Sequence, residues 1–487
     1  MNLSAIQLSS GVIPWPQATQ STTSITSDSR KVSAGTVFAA WKGEHSDGHE
    51  FIADAVAKGA VAILHEAPLE PEFDLPSYRS TNVRRDYADI AYQIAGVETG
   101  TLELIGVTGT NGKTTTTQLI AQFLRGLGKR VGTIGTLGAE IDGQVFREGM
   151  TTPPAEIVAS DLKMMTEAGV EICVMEVSSH ALSQDRLFGL QFSAAVWTNL
   201  TPEHLDFHGT MEAYADAKAR LLNDYCPDRS KWVLNQDDET VARYIEPEAL
   251  TFGEGTHSEP TLKIVSSTFD KNRTHIKFRL GQDLHEVQSP LIGAFNVSNL
   301  LAALGVLTRL GYQLDRLLFL VPKLVGVPGR METVSEGNEP LVVVDYAHTP
   351  DALSKALTTL KSLPHRNLIC VFGCGGDRDQ EKRPVMGRLA SEHSQLVFIT
   401  NDNPRTEAPM SIAKMVQEGV DSSAHSYCQI ILDRESAIEA GIEEASKDDI
   451  VLIAGKGHET YQILGNNVIN FDDRKIARQY LNKKFAN

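Results

Sequence analysis

Short, continuously apolar runs recur along this chain, and most of them stop at a cluster of polar residues. Leu104-Ile105-Gly106-Val107, Val170 to Met175, Ala194 to Trp197, Leu341–Asp345, Leu368–Phe372, Leu396–Thr400 and Ile450–Ala454 have the length and continuity of strands buried on both faces. Helical stretches separate them, among them Phe51 to Lys58, Thr115 to Ala121 and Ala213 to Leu222. Buried strands alternating with helices predict an α/β protein built on parallel sheets. Ligands of such sheets sit at the carboxyl ends of the strands, so the polar clusters there are where chemistry is expected.

The first cluster is the most specific. Gly109-Thr110-Asn111-Gly112-Lys113-Thr114 lies between an apolar strand and Thr115-Thr116-Thr117, which opens a helix. Strand, glycine loop, Lys-Thr and helix make a phosphate cradle. The glycines let N–H groups turn inward, and the helix N-terminus adds partial positive charge. Lys113 can neutralise terminal phosphate charge, and the Thr114 hydroxyl can hold Mg²⁺. The usual spacing would place glycine at 107, where Val107 stands.

Glu176 and His204 each follow an apolar strand and would share a crevice with this loop. Both are candidate Mg²⁺ partners, although Mg²⁺ favours oxygen ligands. Asp206 and His208 sharpen that cluster without deciding which residue binds metal. Lys218 falls within a helical pattern, where spacing alone predicts a solvated lysine. Farther on, Arg378 and Asn401-Asp402-Asn403-Pro404-Arg405 follow strands of another sheet. Two arginines suit bidentate pairing with carboxylates, and Asp402 and Asn403 can accept from an ammonium group. A plain Asn-Pro turn with a solvated arginine competes evenly. Gly455-Lys456-Gly457-His458-Glu459 allows close backbone approach to a ligand, and Glu459 can receive an ammonium.

Composition narrows the partners. A chain of 487 residues with 41% hydrophobic content can hold about three domains. A net charge of −17 argues against nucleic acid and against an anionic membrane surface. No apolar run reaches spanning length and no signal peptide is evident, so no membrane insertion and a cytoplasmic location are expected. The five scattered cysteines give no zinc spacing and fit a reducing compartment.

The ordered set of motifs resembles the Mur ligase family over nearly the whole chain. It includes Ser27-Asp28-Ser29-Arg30, Trp41-Lys42-Gly43, the phosphate loop, Thr151-Thr152-Pro153 and Glu176 to His180. It continues through Asn199 to Gly209, Lys218, Gly293 to Asn299, Gly329 to Glu332 and Asp345 to Pro350. Gly375 to Arg378, Asp402 to Arg405 and Gly455 to Glu459 complete it. Met150 departs from relatives that carry a polar residue before the Thr-Thr pair.

The resemblance implies three domains: a small N-terminal α/β domain (1–98), a central P-loop parallel-sheet domain (99–328) and a C-terminal Rossmann-like domain (329–487). It implies a bacterial ligase that uses ATP and Mg²⁺ to join meso-diaminopimelate to UDP-N-acetylmuramoyl dipeptide, acting as a monomer. Carried over residue by residue, Ser27, Ser29, Glu44, His45 and Ser46 would hold the uridine end. Thr151, Thr152, Ser178, Gln184 and Arg186 would meet the muramoyl dipeptide. Gly109 to Thr115, Asn296, Arg330 and Asp345 would contact ATP. Lys218 matches a lysine carbamylated in the family, which would join Thr114, Glu176 and His204 around the metal. Arg378, Asp402, Asn403, Pro404, Arg405, Gly455 and Glu459 would bind diaminopimelate, with closure of the third domain expected. L-lysine is the alternative amino acid, and a folylpolyglutamate-synthase-like ligase a remoter one. A P-loop switch is the rival from another class, but no base-reading motif supports it.

Overall fold

The computed structural model describes residues 1–485 except 44–45, 70–72, 98–99, 101, 257, 271–272, 338, 422–426 and 466. The chain forms two compact units, Met1–Thr261 with Leu301–Arg316, and Leu262–Leu300 with Leu317–Asn487.

The first unit carries two sheets. Ser24–Thr26, Thr36–Ala40, Ala60–His65 and Ser77–Arg79 form a four-stranded parallel sheet in chain order. The helix Val83–Ala95 follows; Asn82 caps its start and Gly96, in the left-handed region at φ 72°, ends it. That helix packs on Ala155–Glu167, which belongs to the next sheet. Val37, Tyr87 and Ile90 therefore share one core with Val158, Leu162, Met165 and Trp197. The second sheet runs in the order Leu250–Gly253, Trp232–Asn235, Ala194–Trp197, Glu103–Thr108, Ile172–Glu176 and Val131–Gly135, all parallel. The antiparallel pair Gly138–Ile141 and Gln144–Arg147 extends its edge.

The apolar runs become central strands because both of their faces are covered. Ala194–Trp197 and Ile172–Glu176 are buried at every position. Each large aliphatic side chain so buried contributes roughly 1.5–3 kcal/mol. Ile172–Glu176 starts two residues later than its apolar run, because the Val170 N–H closes the preceding helix onto Met165 O. Phe51 to Lys58 is also shorter as an α-helix, Ile52–Ala57, because Asp47 caps a 3₁₀ turn at Gly48–Phe51 first.

In the second unit, Leu262–Phe269, Thr274–Leu280 and Asp283–Ser289 form an antiparallel meander. Beyond it lies a six-stranded sheet ordered Glu332–Thr333, Leu341–Asp345, Ile450–Ala454, Leu368–Phe372, Leu396–Ile399 and Cys428–Ile430. All but the first strand are parallel. Leu353, Leu357, Met386 and Val416 cover one face, whereas Ile438, Ile442 and Leu481 cover the other. The last parallel strand inserts between the first two, which brings the ends at Asp345, Ala454, Phe372 and Ile399 to one crevice. That is the position where doubly wound sheets bind ligands.

One ion pair anchors this crevice from below. Arg434 and Asp473 are both fully buried and share two hydrogen bonds of 2.7 Å. Arg434 also donates to Asn401 O at 3.2 Å and Ala454 O at 3.0 Å, tying two strand ends together. Removing one partner strands a buried charge, so Arg434→Ala should destabilise the second unit by about 3–5 kcal/mol. Denaturant unfolding followed by circular dichroism checks this, and an unchanged midpoint would contradict it.

Candidate active site

The phosphate loop is held open by glycine geometry and by its neighbours. Gly109 (φ 140°) and Gly112 (φ 88°) occupy conformations that a side chain disfavours. A Cβ on Gly109 would also run into the Thr198 hydroxyl. The helix Lys113–Gly126 starts directly after Gly112, two residues earlier than its threonine run suggests. Asn199 clamps the loop, receiving Asn111 N–H at 2.9 Å on its side chain and returning a bond to Asn111 O at 3.0 Å. Thr198 Oγ1 donates to Asn111 O at 2.6 Å. Lys113 Nζ folds back over the loop, 2.9 Å from Gly109 O and 2.8 Å from Thr110 O.

Glu176 lies at the neighbouring strand end and is 1% exposed. Its carboxylate accepts from Thr114 Oγ1 at 3.0 Å, Thr136 N at 2.8 Å and Thr136 Oγ1 at 3.1 Å. A wall of polar residues continues from it. Thr152 Oγ1 donates to Glu176 O at 2.8 Å and accepts Ser178 N–H at 2.9 Å. Arg186 donates to Thr152 O at 2.6 Å and forks onto Gln184 Oε1 at 3.1 and 2.8 Å. Thr151 reaches Thr136 across 3.2 Å. The five residues expected to meet a muramoyl dipeptide are thus joined to the expected metal carboxylate, although they span 36 positions in sequence.

Lys218 corrects the spacing argument. It lies on the helix Met211–Asn223 and is 1% exposed, not solvated. Its Nζ donates to Gly109 O at 2.9 Å and sits 4.6 Å from the Tyr214 ring centre. Burial, with Lys113 adding repulsion, pushes its pKa well below that of an ordinary amine. Tyr214 lies one helical turn before Lys218 and reaches Thr110 Oγ1 at 3.2 Å.

His204 has a left-handed backbone (φ 57°) ahead of a single helical turn, and its side chain is 45% exposed. Its ring packs edge-on against His180 at 4.7 Å. His208 is committed elsewhere, with Nε2 2.9 Å from Ser179 Oγ. Burial lowers His180 to about 4, with His204 and His208 adding to the effect, and lowers His204 as well. Among the described residues no three His, Cys, Asp or Glu side chains form a ready-made metal cluster. Thr114 and Glu176 do offer adjacent oxygens, which fits a cation that binds through few protein ligands, phosphates and water.

In the second unit the other constellation forms at the crevice described above. A Cβ on Gly375 would meet Arg405 Nη1 at 3.1 Å and Arg378 Cγ at 3.7 Å, so the two arginines adjoin one loop. Arg405 donates to Gly376 O at 2.8 Å. A Cβ on Gly455 would meet Asp402 Oδ2 at 2.7 Å. Asn403 Nδ2 donates to Glu459 Oε2 at 3.1 Å. Asn403 Oδ1, which the sequence offers to an ammonium, already receives Lys456 at 3.1 Å and Ile463 N–H at 2.9 Å. Asp345 accepts Met331 N–H and Ala347 N–H, and Arg330 stacks over Tyr346 at 4.7 Å. Asn296, near the start of Ala294–Arg309, donates to Ile292 O at 2.9 Å.

Three family models match in chain order: "Mur ligase family, catalytic domain" at residues 21–95, "Mur ligase middle domain" at 107–307 and "Mur ligase, glutamate ligase domain" at 329–457. A UDP-N-acetylmuramoyl-L-alanyl-D-glutamate–2,6-diaminopimelate ligase from Geobacillus kaustophilus is 44% identical over 93% of each chain. The chain belongs to the Mur ligase family. A Bacillus cereus ligase of the same name is 41% identical over 97% of this Mur ligase and 96% of its own length. A solved structure bearing that name superimposes with a TM-score of 0.69 at 36% identity, covering 95% of both chains.

Of the remaining expected residues, Ser29 is buried in a short turn capped by Asp28, Ser27 is exposed beside it, and Ser46 O accepts Gly43 N–H at 2.9 Å. Glu44 and His45 lie outside the described residues. Sequence reasoning gave no role to Thr136, Tyr214 or Lys456. Tyr214 had a usable signal, its place four residues before Lys218. Thr136 had none, because only the sheet brings it to Glu176.

Gly135 closes this Mur ligase site from the side, since a Cβ there would run into Glu176 Oε1. Gly135→Ala should displace that carboxylate, lowering ATP-dependent phosphate release by about tenfold or more while costing about 1–3 kcal/mol of stability. Full phosphate release by a folded Gly135→Ala protein would argue against this placement of Glu176.

Proposed function

We propose that this chain joins meso-2,6-diaminopimelate to UDP-N-acetylmuramoyl-L-alanyl-D-glutamate with ATP, in the bacterial cytoplasm, during peptidoglycan precursor synthesis. The observation that carries this reading is 41–44% identity, over more than nine-tenths of the chain, to ligases named for that reaction. Identity of this extent also favours it over a folylpolyglutamate-synthase-like activity. Its three working parts are residues 1–98, 99–328 and 329–487.

A carboxylate does not acylate an amine at neutral pH, because its leaving group is poor. Transfer of the γ-phosphoryl group from ATP to the carboxylate gives an acyl phosphate and ADP. The amine attacks that carbonyl, the amide forms, and phosphate leaves with its bonding electrons. Phosphoryl transfer needs alignment and charge neutralisation more than covalent help. The loop N–H groups of Gly109 to Thr115 and the Lys113 ammonium supply these. Thr114, Glu176 and His204 would hold Mg²⁺, which shields phosphate charge. Thr151, Thr152, Ser178, Gln184 and Arg186 would bind the dipeptide end, and Ser27, Ser29, Glu44, His45 and Ser46 the uridine end. Asn296, Arg330 and Asp345 would contact the nucleotide.

Lys218 fits a carbamate. Its depressed pKa favours the neutral amine, which can add CO₂ and release a proton. The product is a carboxylate, an oxygen ligand suited to Mg²⁺ where an ammonium would repel it. Labelled bicarbonate should give a carbamate carbon signal by NMR in the unaltered protein and none in Lys218→Ala, which should also lose nearly all turnover. Normal turnover in the alanine variant would remove Lys218 from the mechanism.

Arg378 and Arg405 would pair with substrate carboxylates, and Asp402 and Glu459 would receive an ammonium. Asn403, Pro404 and Gly455 would shape that pocket. L-lysine lacks one carboxylate and would leave a guanidinium unpaired. Sites built around such polar groups reject the analogue lacking them by roughly 10⁴-fold. Arg405→Ala should raise KM for meso-diaminopimelate about tenfold or more and leave KM for ATP within about twofold. Comparable kcat/KM for L-lysine and meso-diaminopimelate in the unaltered enzyme would replace this assignment with the lysine-adding reaction.

A further inference from the structure

Lys456 is a fully buried cation to which the reaction above assigns no task. It lies between Gly455 (φ 118°) and Gly457 (φ 54°), whose conformations turn the backbone sharply past the strand end. A Cβ on Gly457 would meet Gly329 O and Tyr346, so the turn is tightly confined. The Lys456 side chain enters the interior beneath the crevice, with its ammonium 5.6 Å from the Tyr461 ring centre.

It bonds to two proposed substrate residues. Nζ donates to Glu459 Oε2 at 2.9 Å and to Asn403 Oδ1 at 3.1 Å. Asn403 closes the triangle by donating Nδ2 to the same Glu459 oxygen at 3.1 Å. The second lone pair of Asn403 Oδ1 receives Ile463 N–H at 2.9 Å. That oxygen is therefore saturated, and the orientation of the amide is fixed. Glu459 Oε2 holds two donors, which locks the carboxylate while the residue keeps 16% side-chain exposure toward solvent.

We propose that Lys456 is the positioning residue of the amino-acid site: acting with Asn403, it fixes the Glu459 carboxylate to receive the ammonium group of the incoming diamino acid. The inference rests on the reading that this crevice binds the amino-acid substrate. A flexible glutamate would have to give up rotamer freedom on binding, whereas this one is already ordered. Asn403 then acts on the ligand through Glu459, because its own oxygen is taken. The role is specific to the amino acid, since neither ATP nor the nucleotide-sugar peptide needs this carboxylate.

Two variants of the full-length enzyme test it. Lys456→Met keeps the length of the side chain and removes both hydrogen bonds. Lys456→Gln keeps a donor and removes the charge. Lys456→Met should raise KM for meso-diaminopimelate by about tenfold or more, with KM for ATP and for the nucleotide-sugar peptide within about twofold. Lys456→Gln should recover part of that loss. The gain in melting temperature on adding meso-diaminopimelate should shrink in the same order. An unchanged KM for meso-diaminopimelate in either folded variant, or equal rises for all three substrates, overturns the role of Lys456. Preference of the unaltered enzyme for L-lysine instead overturns the parent reading.

Discussion

The carboxylate of Glu176 is the point at which the polar network of the first unit is tied together. A buried carboxylate is costly unless donors surround it. This one accepts from the Thr114 hydroxyl and from both the backbone and hydroxyl of Thr136. Those bonds join the start of the phosphate-loop helix to the end of the next strand. Through Thr152 the same strand end holds Ser178, and Arg186 closes the wall. The glycine loop and the polar wall are therefore linked through one carboxylate and the strand that carries it.

The second unit solves a similar problem with cations. Arg434 lies beneath the crevice and bonds to Asp473, Asn401 O and Ala454 O. Lys456 bonds to Asn403 and Glu459. Arg383, also fully buried, pairs with Glu407 and donates to Gly375 O at 3.2 Å, steadying the loop that carries Arg378. Such groups are costly to bury singly and are tolerated because each has a fixed partner. The result is a rigid frame that leaves Arg405 and Glu459 partly exposed.

Lys218 shows how far burial changes a side chain's chemistry. On a solvated helix face it would be an ordinary ammonium. Packed against Gly109 O and the Tyr214 ring, it is pushed toward the neutral amine, a nucleophile. The helix itself is unremarkable by spacing, with alanines at 213, 215, 217 and 219. Ala215, Ala217 and Ala219 are buried, and this close packing keeps water from Lys218.

Much of the fold was legible in the chain because strand identity depends on local composition. Short, β-branched runs such as Ile450–Ala454 have the length and composition of strands covered on both faces, and the glycines of the phosphate loop meet a local backbone requirement. The sequence also determined which polar clusters would lie at strand ends, and so nominated Glu176, Asp402 and Glu459. Tertiary structure decided what it could not. It set the order of the strands, which inserts Ile450–Ala454 between Leu341–Asp345 and Leu368–Phe372. It set the partner of each buried charge, such as Thr136 for Glu176 and Asn403 for Lys456. Burial and hydrogen bonding are properties of neighbours in space, and a run of residues specifies its own conformation far better than it specifies those neighbours.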